Sequence, residues 1–384
     1  MRDLLVTTHT PVLGSGRALR TYGVARALAA HGCLDLLYVR FEAPEPDAAF
    51  RAIPRIELHE VIPSRGARRL LAYGSARLAG VPGELARGVS PELAAEVARL
   101  ARAPDRGRVI ADGPVAAAAL ARLTRKRPVI YNAHNFESGF RHELDGARGI
   151  AGARALRAFE RGLLEHASES WMASEADVAA ARELCPAAQL RYVPNVVDVA
   201  AIAPVQPLRE ERRAIFVANF AYEPNRNGLR FLLEEVLPLV WAELPDAKLA
   251  LVGGGLEGSP TTRTVQSPAL PDDPRVEALG FVEDLRTVYA RACCAVVPLL
   301  QGGGTPLKLI EALAYGLPVL ATTRAVAGLE VRVGEHCLLA DGGAQFAAAL
   351  VRLMRDGAGE LGCRGRKLAA ERYSIEALSE LVAR

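Results

Sequence analysis

A lysine and a glutamate lie three residues apart, directly after a run of glycines, in the stretch QGGGTPLKLIEALAYGLPVLATT (residues 301–323). The glycines are Gly302, Gly303 and Gly304. Glycine lets a ligand approach the main chain closely, and a helix start adds free amides and a positive dipole end. With the ammonium of Lys308 one turn further on, this combination attracts phosphate oxygens. The carboxylate of Glu311 can accept hydrogen bonds from sugar or ribose hydroxyls.

Local rules predict where that helix begins and ends. Thr305 is a good N-cap and Pro306 suits the first helical position, while Gly316 is a typical residue just past the end. Lys308 and Glu311 are then expected on one accessible flank of the helix. A glycine-rich loop that only turns the chain, with the two charges as a solvated pair, remains the alternative interpretation.

A second glycine turn, in TTHTPVLGSGRALR, follows the first predicted strand and contains Gly14, Ser15 and Gly16. It resembles a dinucleotide-binding fingerprint, but Leu19 stands where the third glycine should be. The second strand also ends in Arg40 rather than an acidic residue, which disfavours a nicotinamide dehydrogenase. The loop is still predicted to offer backbone donors to an anion or a sugar hydroxyl, or else to permit close packing of helix and strand.

His134 lies just beyond the apolar strand in VIYNAHNFES, between two polar residues. A histidine at the carboxyl end of a strand is placed to contact a ligand, although a lone histidine is more often structural. His9, at the end of the first strand, is a second and weaker candidate.

Short apolar strands alternate with amphipathic helices along the chain. The strands are predicted at 4–7, 34–39, 109–111, 129–133, 170–173 and 190–193, then at 214–217, 249–252, 276–280, 294–297, 319–321 and 337–340. The alternation predicts an α/β fold with two doubly wound, Rossmann-like domains. Because 384 residues exceed what one core usually supports, we interpret 196–213 as a linker between domains 1–195 and 214–370. The two domains are expected to face a cleft at the carboxyl ends of their strands.

The charge and cysteine content of the chain limit the classes of partner that it is expected to bind. The net charge of +3 is too small for a dedicated nucleic-acid binder, but residues 1–200 carry 27 basic against 22 acidic side chains. That excess favours docking of an acidic or membrane-surface substrate on the first half. Six scattered cysteines show neither metal spacing nor a disulfide framework, which fits a reducing cytoplasm. No run approaches the roughly 20 apolar residues of a membrane span, and the opening lacks signal-peptide anatomy.

Several segments together resemble the retaining family-four group of GT-B glycosyltransferases. They are PNVVD (194–198), FVANFAYEPNRNGLRFLLEEVLP (216–238), LALVGGG (249–255), LGFVEDL (279–285) and PLLQGGGTPLKLIEALAYGLPVLAT (298–322). The resemblance implies transfer of a sugar from a nucleotide-diphospho-sugar, such as a UDP- or GDP-sugar, with retained configuration and without metal or cofactor. It implies that Lys308 grips the diphosphate, Glu311 binds the donor ribose and His134 lies near the reacting sugar. It also implies that 371–384 form a helix crossing back onto the first domain.

Three departures from the family pattern accompany this resemblance. Gly303 stands where many members carry a first glutamate, and Asn219 stands where an arginine grips the diphosphate. Arg226 is the candidate substitute for a family lysine, and PNVVD lacks the usual glycine. A nucleotide-sugar 2-epimerase and a catalytically silent nucleotide-sugar binding protein therefore remain open. The expected acceptor is a glycan, a lipid-linked sugar or a small molecule, reached in the cytoplasm or at the inner face of its membrane.

Overall fold

The computed structural model describes the chain except residues 42–43, 122–126, 137, 139–149, 209, 257–269, 303–304 and 384. Its contacts divide the chain into two compact units. The first unit comprises Met1–Val196 and the C-terminal residues from Ile375, and the second comprises Val197–Ser374. Each unit is built around one parallel sheet.

The sheet of the first unit has seven strands in the order β3-β2-β1-β4-β5-β6-β7. The strands are β1 Arg2–Thr7, β2 Cys33–Val39, β3 Ile56–Val61, β4 Arg106–Asp112, β5 Ile130–Asn132, β6 Glu169–Met172 and β7 Leu190–Tyr192. The helices are α1 Gly16–His31, α2 Ala48–Arg51, α3 Ala67–Leu78, α4 Gly83–Ala86, α5 Pro91–Leu100, α6 Pro114–Leu120, α7 Ile150–His166, α8 Glu175–Leu184 and, at the C-terminus, α16 Ile375–Ala383. The strand order reverses between β1 and β4, which makes their carboxyl ends the switch point of this sheet.

The strands of this sheet are apolar on both faces because helices cover both. Leu4 and Val6 of β1 pack into one core cluster, and Leu5 between them packs into the other. Helix α16 completes the second cluster through Leu378 and Val382. A Cβ on Gly23 of α1 would lie 2.6 Å from Val196, so the absence of a side chain there permits this close packing.

The second unit has six parallel strands in the order β10-β9-β8-β11-β12-β13. They are β8 Arg213–Val217, β9 Lys248–Val252, β10 Val276–Gly280, β11 Cys294–Val297, β12 Val319–Ala321 and β13 Leu338–Leu339. The helices are α9 Glu223–Phe231, α10 Leu237–Glu243, α11 Leu285–Tyr289, α12 Leu307–Ala314, α13 Thr323–Val326, α14 Gly343–Asp356 and α15 Leu361–Arg372, with one π-helical stretch at Leu232–Val236. Here the order reverses between β8 and β11.

The predicted α/β class and the two Rossmann-like sheets are confirmed. The sequence reading missed edge strand β3, whose Glu57 and Glu60 face outward while Ile56 and Leu58 are half-buried. It also treated 196–213 as a linker, whereas Val199 and Val205 are buried in the core of the second unit. Among the described residues, no helix has the length and apolar character that crossing a bilayer requires.

Candidate functional site

In the second unit, the glycine segment lies between β11 and α12, at the switch point of the sheet. Gly302 has φ +126°, a conformation that only glycine adopts readily, and Gly316 ends the helix with φ +80°. Gly303 and Gly304 lie outside the described residues. Thr305 is not the N-cap as predicted, since it is buried and Pro306 takes that position with φ −70° and ψ 102°. Pro306 has no side-chain group that could cap the first turn of α12.

Lys308 points from the first turn of α12 toward β8 and α9. Its Nζ donates to Oδ1 of Asn225 and lies 5.5 Å from the ring centroid of Phe216. Burial lowers the pKa of Lys308 to about 7, and no carboxylate of the described residues pairs with it. A bound anion would raise the pKa of Lys308 again and favour its protonated, cationic form.

Glu311 does not pair with Lys308, contrary to the interpretation of a solvated ion pair. Both side chains are half-buried, and burial raises the pKa of Glu311 to about 7. Glu311 lies beside Tyr289 and Tyr315, whose rings stack with centroids 4.2 Å apart. Burial raises the pKa of both phenols, and the charge of Glu311 adds to that effect. The carboxylate thus has no cation of the described residues to balance it and can accept hydroxyl donors.

The turn after β8 is built by two asparagines. The exposed Asn219 accepts the amide of Ala221 on Oδ1 at 3.0 Å, which closes the turn. Its carbonyl accepts Nδ2 of the buried Asn225 at 2.7 Å, so Oδ1 of Asn225 is aimed at Lys308. Arg226, the suggested substitute for a family lysine, donates instead to the carbonyls of that turn, at 2.5 Å to Ala221.

Two polar residues of this site were missed from the sequence. Asn225 was not singled out in EPNRNG, although it holds Lys308. Arg324 of α13, which follows β12, donates to the carbonyl of Gly302 and brings a guanidinium to the glycine segment. Its position directly after a buried strand was the available signal.

In the first unit, His134 lies where predicted, just beyond β5, and is buried against Asp112 at the end of β4. Nε2 of His134 lies 2.9 Å from Oδ1 of Asp112. Oδ1 also accepts Nδ2 of Asn132 at 2.7 Å, and Oδ2 accepts the hydroxyl of Thr21 at 2.6 Å. Burial alone would raise the pKa of Asp112, but His134, His9 and these donors outweigh it and hold the pKa well below its usual value.

The contact with Asp112 fixes one hydrogen on His134. An ionised Asp112 can only accept, so Nε2 of His134 carries a hydrogen, and Nδ1 is an acceptor whenever the ring is neutral. No described residue bonds that Nδ1. A Cβ on Gly113 would lie 3.2 Å from Nδ1 and 3.0 Å from Cε1, so this glycine leaves the edge of the imidazole open.

His9 joins the same cluster from the end of β1. Its Nδ1 lies 2.9 Å from Thr7 Oγ1, its Nε2 lies 3.3 Å from Thr21 Oγ1, and its ring meets that of His134 edge-on at 6.2 Å. Because Thr21 gives its hydrogen to Asp112, it accepts from Nε2 of His9. Burial lowers the pKa of His9, with Asp112 opposing the effect, so the ring is neutral near pH 7.

Behind the cluster, the buried Arg20 of α1 ties three chain segments together. Its guanidinium donates to Asn132 Oδ1 at 2.7 Å, to Asn195 Oδ1 at 3.0 Å and to the carbonyl of Val193 at 2.9 Å. Burial lowers the pKa of Arg20 to about 10, which leaves it protonated at neutral pH.

The first glycine turn is open to solvent. Gly14, Ser15 and Gly16 are all exposed, and a Cβ at either glycine would meet no atom within 4 Å. Ser15 caps α1 by accepting the amide of Ala18 at 3.2 Å. The turn therefore starts a long helix and leaves main-chain donors accessible, as an anion or hydroxyl site requires.

One group of described residues could hold a metal ion by distance alone: Asp35, Glu57 and His59, whose ligand atoms lie within 4.8 Å of one another. Asp35 is already paired with Arg2 at 2.8 Å and with Arg106 at 2.7 Å. Two guanidiniums oppose a further cation, so this group is an ion-pair network of β2 and β3.

The fold is that of the GT-B glycosyltransferases. Sucrose-phosphate synthase of Thermosynechococcus elongatus matches with a TM-score of 0.73 at 19% identity, covering 100% of this chain and 97% of that chain. HepE of Anabaena, solved in complex with UDP-glucose, matches with a TM-score of 0.70 at 18% identity, covering 99% and 98%.

Residues 211–356 match the model of the family described as glycosyl transferases group 1. A phosphatidyl-myo-inositol mannosyltransferase of Mycobacterium leprae is 30% identical over 172 residues, 43% of this chain and 44% of that protein. The chain spans less than half the length of the curated relatives that it matches.

Proposed function

We propose that the protein transfers a sugar from a nucleoside-diphosphate sugar, such as a UDP- or GDP-sugar, to an acceptor hydroxyl. The observation that carries the proposal is the half-buried Lys308 at the start of α12, which Asn225 holds and which no carboxylate in the described part of the chain pairs with. The family match over 211–356 and the UDP-glucose bound by the structurally similar HepE support it.

The second unit would hold the donor. Lys308, the first-turn amides of α12 and Arg324 supply fixed positive charge for a departing diphosphate, the task that a metal performs in other transferases. Glu311 would accept hydrogen bonds from the ribose hydroxyls, because its carboxylate is half-buried and no cation of the described residues pairs with it. Asn219 is exposed on the adjacent turn and can donate to the diphosphate through its amide.

We propose retention by front-face displacement. The bond from the anomeric carbon to the phosphate oxygen breaks, the acceptor oxygen bonds to the same face, and the leaving phosphate oxygen takes the acceptor proton. This route needs no protein nucleophile. His134 would accept a hydrogen bond from a sugar hydroxyl through Nδ1. This contact would orient the sugar that reacts.

The test is calorimetry with nucleoside diphosphates and their sugars, followed by product analysis with and without acceptor. We expect Lys308→Ala to weaken diphosphate binding by about 10- to 100-fold, the loss of a charge-assisted hydrogen bond. Glu311→Ala should weaken nucleoside recognition. The exposed Lys367 provides a control, since Lys367→Ala removes an equal charge from α15.

Unchanged affinity in both site variants would place the donor elsewhere and overturn the proposal. Product analysis separates the alternatives. A 2-epimerase converts the donor without acceptor, and a silent binding protein gives neither transfer nor slow donor hydrolysis. The acceptor, whether a glycan, a lipid-linked sugar or a small molecule, is identified by which compound gains the sugar.

A further inference from the structure

Asn225 offers Lys308 a neutral oxygen at a position where a charged side chain of the same shape would fit. Asn225 lies near the start of α9 and is 4% exposed. Its Oδ1 accepts a hydrogen bond from Nζ of Lys308. The polar partner that this buried position supplies to the lysine is therefore an amide and not a carboxylate.

The orientation of the Asn225 amide is determined by its two neighbours. Nδ2 lies 2.7 Å from the carbonyl oxygen of Asn219, which can only accept. Oδ1 faces the ammonium of Lys308, which can only donate. The main-chain amide of Asn225 donates to the carbonyl of Tyr222 at 3.0 Å and holds the backbone in place. The side chain thus presents a fixed acceptor to Lys308.

This contact leaves most of the ammonium open to a ligand. Nζ of Lys308 lies 5.5 Å from the ring centroid of the buried Phe216, whose face attracts a cation without taking a full hydrogen bond. An ammonium has three hydrogens, and Asn225 takes one of them. No other described residue accepts from Nζ. Two hydrogens therefore remain for phosphate oxygens.

The charged side chains around Lys308 do not neutralise it. Those of β8, α9, α12 and α13, besides Lys308 itself, are Arg213, Glu223, Arg226, Arg230, Glu311 and Arg324. Of the two carboxylates in this set, Glu223 is exposed and Glu311 lies beside Tyr315. Arg226 and Arg324 donate to main-chain carbonyls. A bound diphosphate would supply the negative charge that these elements do not direct to Lys308.

A carboxylate at position 225 would change this balance. Aspartate has nearly the shape of asparagine, so it could reach Nζ in the same way. It would pair with the ammonium, raise the pKa of Lys308 from about 7 and neutralise its charge. A diphosphate would then have to displace a carboxylate and approach its negative charge. The amide of Asn225 avoids both effects, because it holds the ammonium with a dipole.

We propose that Asn225 is a positioning residue for donor binding: it aims Lys308 at the diphosphate and, being neutral, leaves the charge of the lysine to the ligand. This role rests on the proposed function, because it takes the ligand of Lys308 to be the donor diphosphate. It adds a requirement that position 225 carry an acceptor without charge, so that a polyanionic ligand completes the site.

Titration of the lysines tests the charge of Lys308 without any ligand. The chain has four lysines, so ¹³C-labelled lysine gives few Cε signals, and Lys308→Arg identifies the signal of Lys308. In the unchanged protein this signal should titrate near pH 7. Asn225→Asp should move the midpoint above about pH 8, because a carboxylate favours the ammonium, and Asn225→Leu should not raise it.

Calorimetry with UDP and GDP at pH 6, where Lys308 of the unchanged protein is mostly protonated, tests the consequence for binding. Asn225→Leu should bind about threefold more weakly, because the lysine is no longer aimed. Asn225→Asp should bind at least about tenfold more weakly, although its shape is closer to asparagine. Both variants lose the hydrogen bond to Asn219, so the difference between them reports the charge at position 225.

The matched control is Asn227→Asp on the same helix. Oδ1 of Asn227 accepts from Arg230 at 3.0 Å, so this variant adds the same charge beside an arginine instead of Lys308. It should leave the Lys308 titration unchanged and bind both nucleotides within about twofold of the unchanged protein.

Three results would overturn the positioning role: Asn225→Asp binding as tightly as the unchanged protein, a Lys308 midpoint that this variant does not raise, or full affinity in Asn225→Leu. Any of them, in a protein that binds UDP or GDP, removes this role and leaves the proposed function standing. If the unchanged protein binds neither nucleotide, the proposed function fails and the positioning role fails with it.

Discussion

Asp112 at the end of β4 accepts the Nε2 hydrogen of His134 at 2.9 Å, and no described residue bonds Nδ1 of that ring. If this contact orients His134, Asp112→Asn should slow sugar transfer about 10- to 100-fold, because a misplaced group loses much of its effect. Affinity for the nucleoside diphosphate alone should change little, since the nucleotide contacts proposed above lie in the second unit. The imidazole ¹⁵N spectrum should report a weaker hydrogen bond at Nε2 of His134.

A stability control separates orientation from folding. Asp112→Asn removes a buried, hydrogen-bonded charge and should destabilise the protein by about 3 kcal/mol at neutral pH. The pKa of Asp112 is depressed, so its stabilisation is present above about pH 4 and is lost as the pH falls below that. Asp3→Asn breaks the ion pair with Arg108 in the same sheet and should cost stability without slowing transfer. Equal transfer rates in both variants would contradict the orienting role.

Gly113 supports a second prediction about the same ring. Its φ of +88° disfavours a side chain, and a Cβ would lie 3.0 Å from Cε1 of His134. Gly113→Ala should therefore cost about 1–2 kcal/mol of stability and also displace the imidazole and reduce transfer. Gly80→Ala is the matched control, since Gly80 has φ +84° and open space around its Cβ position. It should show the stability loss alone, and equal activity losses would argue against a specific effect on His134.

Donor binding should be linked to protons in opposite directions on the two sides of pH 7. The pKa of Lys308 is about 7, so at pH 8 it is mostly neutral and should take up about one proton when a diphosphate binds. The pKa of Glu311 is also about 7, so at pH 6 it is mostly protonated and should release about one proton to receive ribose hydroxyls.

Calorimetry in buffers of different ionisation enthalpy measures this linkage. The intact nucleotide sugar is the right ligand, because its diphosphate diester does not titrate near pH 7. Lys308→Arg should abolish the uptake at pH 8 and Glu311→Gln the release at pH 6. Proton exchange that keeps one sign from pH 6 to pH 8 would show that one of the two residues does not contact the donor.

The sequence predicted the fold and the elements that carry the candidate site residues, because strand patterns and helix signals are local. It placed Lys308 and Glu311 in a helix that follows the glycine segment and His134 just beyond an apolar strand, where the structure has them. Asp112 was missed although the same signal applied, since it ends β4 directly before Gly113. Edge strand β3 was missed because Glu57 and Glu60 interrupt its apolar pattern. Both side chains are exposed, since β3 lies at the edge of the sheet.

Contacts between distant parts of the chain could not be predicted. Arg20 lies in α1 and its acceptors on Asn132 and Asn195 are more than a hundred residues away. Lys308 and Glu311 likewise do not pair with each other, because each side chain contacts residues of a different element. Asn225 draws the lysine toward β8, while Glu311 lies beside the tyrosine pair of Tyr289 and Tyr315. Helical spacing alone predicted one flank and could not show these partners.

The ionised form of Glu311 should lower the free energy of unfolding, because its carboxylate is partly buried where it would bind the donor. Its pKa is about 7 in the folded protein and near 4.5 when unfolded, so the folded state binds more protons between these values. Wild type and Glu311→Gln should therefore be equally stable below pH 4.5, and the variant should be more stable above pH 7. After allowance for partial exposure, we expect about 1–2 kcal/mol at pH 8, measured by urea unfolding at both pH values. Glu234→Gln, at an exposed position, should change neither value. If Glu311→Gln is instead less stable than wild type at pH 8, the ionised carboxylate stabilises the folded protein. That outcome would contradict the prediction that burial of this charge costs stability.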